Sequence, residues 1–176
     1  MRQKDGFQNS GCYNMACLGF QPEAGTHIFP GDVIAPVSRI NGSKQKITIK
    51  VYKYSYDLQD GITGDWWVYY GFNSYPRAVG HFPKSLFTGL AYSTADFAFG
   101  GYIANERMQL TPPMGSGSSQ IANAASFSDL KYVLQDGRVS SISENLHSRN
   151  DNKNCYLVTP IVNGKFFYGG RGGCRV

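Results

Sequence analysis

Between residues 46 and 54 the chain reads Lys-Ile-Thr-Ile-Lys-Val-Tyr-Lys-Tyr, with Ile47, Ile49 and Val51 at alternate positions and Thr48 and Lys50 between them. β-Branched residues at every second position line one face, the pattern of an antiparallel strand with one wet side. Trp66-Trp67-Val68-Tyr69-Tyr70 follows the turn residues Asp60-Gly61 and Gly64-Asp65 and predicts a second strand. Residues 79–82, 97–104, 130–134, 156–162 and 166–168 are further strand candidates, separated by turns at Pro112-Pro113, Asp136-Gly137 and Asn163-Gly164. Residues 84–91, introduced by Pro83, predict one short helical turn. Residues 140–153 are polar without an apolar period and predict an exposed loop. Many short strands between frequent turns predict an all-β protein, an antiparallel β-sandwich or open barrel.

Composition narrows this without changing it. A chain of 176 residues suits one domain, and 41% apolar residues against 16% charged argue for a packed core. Gly 21, Tyr 12 and Phe 11 favour strands and turns over helices. No run approaches the ~20 apolar residues of a membrane span. The first residues, Met1-Arg2-Gln3-Lys4-Asp5-Gly6, lack the apolar stretch of a signal peptide. A formal charge of +5 is a mild bias, and no Lys/Arg run tracks phosphates, so no nucleic-acid partner is expected. A solvated basic surface explains that charge, with an anionic polysaccharide or membrane surface as the alternative.

Cysteines fall as two distant couples, Cys12 with Cys17 and Cys155 with Cys174, and His27, His81 and His147 stand alone. That arrangement suits disulfides in an oxidising compartment; no metal and no cofactor are expected. Asn41-Gly42-Ser43 is a glycosylation sequon.

Three stretches carry candidate chemistry. In Asp96-Phe97-Ala98-Phe99-Gly100-Gly101-Tyr102-Ile103, two glycines interrupt a strand-like run, marking a bulge or a close approach of backbone to something else. Trp66-Trp67 offers a stacking platform for a sugar or proline ring, yet neighbouring strand residues point to opposite faces, so at most one lines a cleft. Met114-Gly115-Ser116-Gly117-Ser118-Ser119 lacks the lysine of a phosphate loop and suits a cleft rim. A Ser/His/Asp triad around His81 lacks any G-x-S-x-G elbow.

Gly11-Cys12-Tyr13-Asn14-Met15-Ala16-Cys17-Leu18-Gly19-Phe20 closely resembles the GCYN-x-x-C-x-GF signature of the plant neprosin family, which includes secreted glutamic endopeptidases that cut beside proline. Further blocks follow in family order. Ile34-Ala35-Pro36-Val37-Ser38 and Gly64-Asp65-Trp66-Trp67 resemble its next two, and residues 79–87 resemble VGYWPxSLF. Met114-Gly115-Ser116-Gly117, Asn154-Cys155-Tyr156 and Tyr168-Gly169-Gly170 resemble its MGSG, NCY and YGG. The resemblance implies an antiparallel β-sandwich over residues 11–176 behind an extension at 1–10, a cleft on the concave face, and pairings Cys12–Cys17 and Cys155–Cys174.

It also implies a loss. The family block aligned with residues 98–102 reads E-W-G-G-E, and its last glutamate is one member of the catalytic pair; here that position is Tyr102, and the earlier acid position is Ala98. The other glutamate belongs to a family segment before the GCYN block, where this chain has only ten residues, so the sandwich is expected to be incomplete at its N-terminal end. A missing segment or a further chain would then complete the sheet. Hydrolysis by paired carboxylates needs one ionised and one protonated member. Tyrosine, with a reference pKa of about 10, is no base near neutrality. No catalytic residue is therefore expected to be retained, and the glycine pair becomes an inherited cleft floor with Trp66, Trp67, Phe99, Gly100, Gly101 and Tyr102 as cleft candidates. The expected protein is secreted, glycosylated at Asn41, and binds a peptide or cell-wall polymer. The alternative is an active prolyl endopeptidase whose N-terminal part lies outside this sequence.

Overall fold

The computed structural model describes residues 15–16, 19–53, 64–87, 97–103, 108–134, 137–142 and 146–175. The chain divides into two compact units, one of Met1–Val37 with Lys44–Asp96, the other of Ser38–Ser43 with Phe97–Val176.

The first unit holds four strands: β1 (Gln21–Pro22), β2 (Ile47–Lys53), β3 (Trp66–Phe72) and β4 (Arg77–Phe82), in the order β1-β4-β3-β2. The alternating run of residues 46–54 thus becomes β2, as its period predicts. It pairs antiparallel with β3 from Ile47 opposite Phe72 to Lys53 opposite Trp66. A tight turn joins β3 to β4, and Asn73 holds it. Its φ of 51° is a left-handed conformation asparagine tolerates. The Asn73 N–H donates to the Lys46 carbonyl at 2.8 Å, and its side-chain oxygen accepts from the Lys46 N–H at 2.8 Å.

Register then slips once. Tyr69 stands opposite Ala78 but Val68 opposite Gly80, so Val79 is skipped as a bulge. Beside it β1 crosses close: a Cβ on Gly80, whose φ is 155°, would strike the Gln21 carbonyl oxygen and the Phe20 ring. After β4, Pro83 leads into a single 3-10 turn, Lys84–Leu86, shorter than the helical turn predicted over 84–91. Asp65 pins this turn to the start of β3 by accepting the Lys84 N–H at 2.8 Å.

The second unit is built from β5 (Ala125–Phe127), β6 (Lys131–Val133), β7 (Val139–Ser141), β8 (Leu157–Val158) and β9 (Phe166–Gly169). β9 lies between β5 and β8, while β6 and β7 form a separate hairpin. Phe166 and Tyr168 alternate onto one face of β9, opposite Phe127 and Ala125 of β5. Phe166 is buried with Leu130 and Ile142, and Phe99, Phe127, Tyr132, Val158, Ile161 and Tyr168 pack around them. Phe127 stacks on Phe166 with centroids 5.1 Å apart. Backbone bonds tie the hairpin in: the Ile142 N–H donates to the Leu130 carbonyl at 2.9 Å, and the Leu130 N–H to Gly164 at 3.3 Å.

The carboxyl end closes this unit. Met114 and Gly170 exchange two backbone hydrogen bonds, Leu110 bridges to Arg175, and the Cys174 N–H donates to the Thr111 hydroxyl at 3.1 Å. Cys155 is bonded to Cys174, 19 residues later. Gly170 carries no side chain because a Cβ there would run into the Cys155 carbonyl oxygen.

Every ladder among the described residues is antiparallel, with no α-helix and no closed barrel; the chain is all-β. No helix among these residues is long and apolar enough to cross a membrane. Three further expectations need correction. In the strand expected over 97–104, the described residues 97–103 form none, since their anchorage comes from ring packing rather than a ladder. The stretch 140–153 is not simply an exposed loop: Val139–Ser141 is β7, and Ile142 joins the core. The strand expected over 156–162 contracts to Leu157–Val158 with an isolated bridge at Val162. Beyond these, β1 and β5 are not among the strands the sequence predicts, because they carry too short a pattern to be read in advance.

Candidate functional site

The cleft candidates fall in both units, Trp66 and Trp67 in the first and Phe99, Gly100, Gly101 and Tyr102 in the second. Each group is set by its own surroundings.

In the second unit Phe97 and Phe99 hold the glycine stretch in place. Phe99 lies 6.3 Å from the Phe127 ring, and Phe97 stacks on Tyr132 at 6.3 Å. Phe99 therefore faces the core cluster. Gly100 is exposed, and a Cβ there would meet nothing within 4 Å. Gly101 is different: a Cβ would sit 2.5 Å from the Met114 sulfur. The missing side chain makes room for Met114, whose backbone is clamped to Gly170. Tyr102 follows with 84% of its surface exposed, and from Phe97 to Ile103 the segment bears no carboxylate. Burial pushes the phenol of Tyr168, on the neighbouring core face, above its ordinary pKa.

In the first unit the two tryptophans take opposite faces of β3, as strand alternation requires. Trp66 stands opposite Phe82, on the side where Phe82 meets Phe20 at 5.2 Å edge to face. Its indole Nε1 is buried without a hydrogen-bond partner among the described residues. Trp67 stands opposite His81, with the rings 4.7 Å apart. His81 Nε2 lies 4.0 Å from the Asp65 carboxylate, and its Nδ1 is buried without a partner among the described residues. An indole, an imidazole and a carboxylate thus share one patch of sheet. It offers a flat apolar surface bordered by groups that can accept or donate hydrogen bonds.

Sequence reasoning treated His81 as solitary, and the reason is the bulge. A plain ladder continued from Tyr69–Ala78 would have set Trp66, not Trp67, opposite His81. Glycine at position 80 with a valine before it is the only local sign of the shift.

Three other carboxylates are engaged elsewhere. Asp129 pairs with Lys131 at 2.9 Å, and Asp151 holds Arg149 at 2.6 Å, keeping that guanidinium above its ordinary pKa through the hydrogen bond and its charge. Asp32 accepts the Phe29 N–H at 2.7 Å. Among the described residues no three His, Cys, Asp or Glu side chains gather as a metal site would need.

Asn41 is exposed in a tight turn with φ 59°, where the Arg39 N–H donates to the Ser43 carbonyl at 3.0 Å. The pairing of Cys155 with Cys174 is as expected, while Cys12 and Cys17 lie outside the described residues.

The sequence blocks therefore converge most clearly around the carboxyl end, where Met114, Cys155, Gly170 and Cys174 form one bonded cluster. No solved structure matches the chain. The family model for Neprosin matches residues 1–171, nearly the whole length, and the chain belongs to the Neprosin family.

Proposed function

We propose that this chain is a neprosin-type protein that no longer hydrolyses peptides and acts by binding a peptide or polysaccharide in an oxidising, extracellular setting. One observation carries the reading: Tyr102 stands where the resemblance puts the family's second glutamate, in Phe99-Gly100-Gly101-Tyr102. A phenol with a reference pKa of about 10 neither activates water nor shares a proton with a second carboxyl at acidic pH. The exposure of Tyr102 and the lack of any carboxylate from Phe97 to Ile103 support it. The Cys155–Cys174 bond and the exposed Asn41 sequon favour the extracellular setting.

The test is incubation of the purified protein with a proline-containing peptide at acidic pH, with product masses read afterwards. The expected result is an intact peptide. Cleavage beside proline by the unmodified chain, free of host protease, would replace this reading with that of an active endopeptidase whose acids lie elsewhere.

A further inference from the structure

The register of the first unit decides which side chains share a face with Trp67. Tyr52 stands opposite Trp67, Trp67 opposite His81, and His81 opposite Gln21. Residues directly opposite lie on the same face. They form one row across all four strands, about 14 Å long at the usual ~4.8 Å strand spacing. In the next row Lys50 faces Tyr69, and Tyr52 stacks on Tyr69 with centroids 5.1 Å apart. Lys46 continues the same alternation, held by its two backbone hydrogen bonds to Asn73. The ammonium of Lys50 lies 4.8 Å over the ring of Tyr75, which is 79% exposed.

Of the cations on the four strands, Lys50 lies on the Trp67 face, whereas Lys53, opposite Trp66, and Arg77, opposite Tyr70, lie on the other. The strands themselves carry no carboxylate, and the exposed Glu23 follows β1. Lys46 precedes β2, exposed to solvent like Lys50. Asp65 sits at the far end of the face, already accepting the Lys84 N–H and close to His81. The Trp67 face is therefore aromatic along its length, cationic at the Lys46–Lys50 end and rimmed by the exposed Gln21 amide at the other edge.

We propose that this face binds an acidic polysaccharide, a chain of pyranose rings bearing carboxylates. The inference rests on the binding reading above and gives that reading its ligand class. A pyranose ring has a flat C–H side that packs on an aromatic ring and a rim of hydroxyls that needs both donors and acceptors. Trp67 and Tyr75 supply the first, and the exposed Gln21 amide, which both donates and accepts, the second. Carboxylates on the chain pair with Lys46 and Lys50, and repulsion from Asp65 sets which end of the face they take. An extended peptide, by contrast, adds along a sheet edge through its backbone and has little use for a row of rings on a face.

Binding of polygalacturonate to the whole protein, followed by tryptophan emission and by calorimetry, tests the assignment. The expected result is saturable binding that weakens as salt rises from ~0.05 to ~0.5 M. Trp67→Ala is expected to weaken it about tenfold, and Lys46→Ala with Lys50→Ala by a similar factor. The lysines are exposed, so the second variant keeps its fold, and Trp67→Phe should retain most of the binding. Failure to bind, binding indifferent to these substitutions, or equal binding of a neutral β-glucan would overturn the proposal. Binding of polyproline in place of polygalacturonate would overturn it too, while leaving the binding reading intact. Peptide cleavage in the separate acid assay would instead sink that reading.

Discussion

In the second unit Phe166, Leu130 and Ile142 are buried in one cluster, whereas in the first the apolar side of β2 stays open, with Ile49 58% exposed. The alternation that predicts β2 is the cleaner of the two patterns, yet it gives the less buried residues. Period-two alternation fixes which side chains share a face and how strands pair. It says nothing of what covers that face. In the second unit the cover is assembled from segments far apart in the chain, since Phe99, Phe127 and Val158 all reach the same cluster as Phe166. A bonded carboxyl end then holds it together.

The sharpest way to break this contrast is Phe166→Ala. Removing a buried ring from the cluster is expected to cost about 3–5 kcal/mol, enough to unfold the second unit. Both tryptophans lie in the first unit, so their emission reports on that unit, while amide exchange over residues 125–169 reports on the other. Exchange there should rise steeply. Unchanged protection would show that the cluster contributes little.

Next in size is loss of the disulfide. Cys155→Ser with Cys174→Ser is expected to cost roughly 3 kcal/mol in the chain-entropy account. Thr111 and Met114 should lose protection together with Gly170 and Gly173, because their backbones are bonded to each other. Tryptophan emission should not move. A shift in that emission under reducing conditions would mean that the two units do not respond separately.

Ile49→Ala sharpens the contrast from the other side. A side chain more than half exposed loses little transfer energy, and the expected cost is under about 1 kcal/mol in urea unfolding followed by tryptophan emission. A cost approaching that of Phe166→Ala would show that the open face of β2 is covered in solution.

The smallest effect concerns alkaline pH. Burial raises the folded-state pKa of Tyr168 above its unfolded value, so the folded state keeps its proton longer. The contribution is fully present below the unfolded pKa of about 10 and is lost as pH rises through the folded value. Thermal midpoints of the second unit should fall from pH ~9 to ~11, and less so in Tyr168→Phe. An identical fall in both would assign the effect to other groups.

The sequence by itself determined the all-β class, because alternating β-branched and aromatic runs between glycine and proline turns are local facts of the chain. It located β2, β3 and β9 nearly to the residue, and its blocks carried the family. It also determined that Tyr102 is no carboxylate. What only the tertiary structure decided was which neighbours those residues meet. Ile142 enters the core from a stretch whose polarity hid it, and Gly101 is bare because Met114 occupies its space. The bulge at Val79 turns Trp67, rather than Trp66, toward His81. The physical reason is the same in each case. Period and turn chemistry act between residues near in sequence, whereas a one-residue slip in a ladder or a contact across 60 residues is settled by packing and backbone hydrogen bonds that no local pattern records.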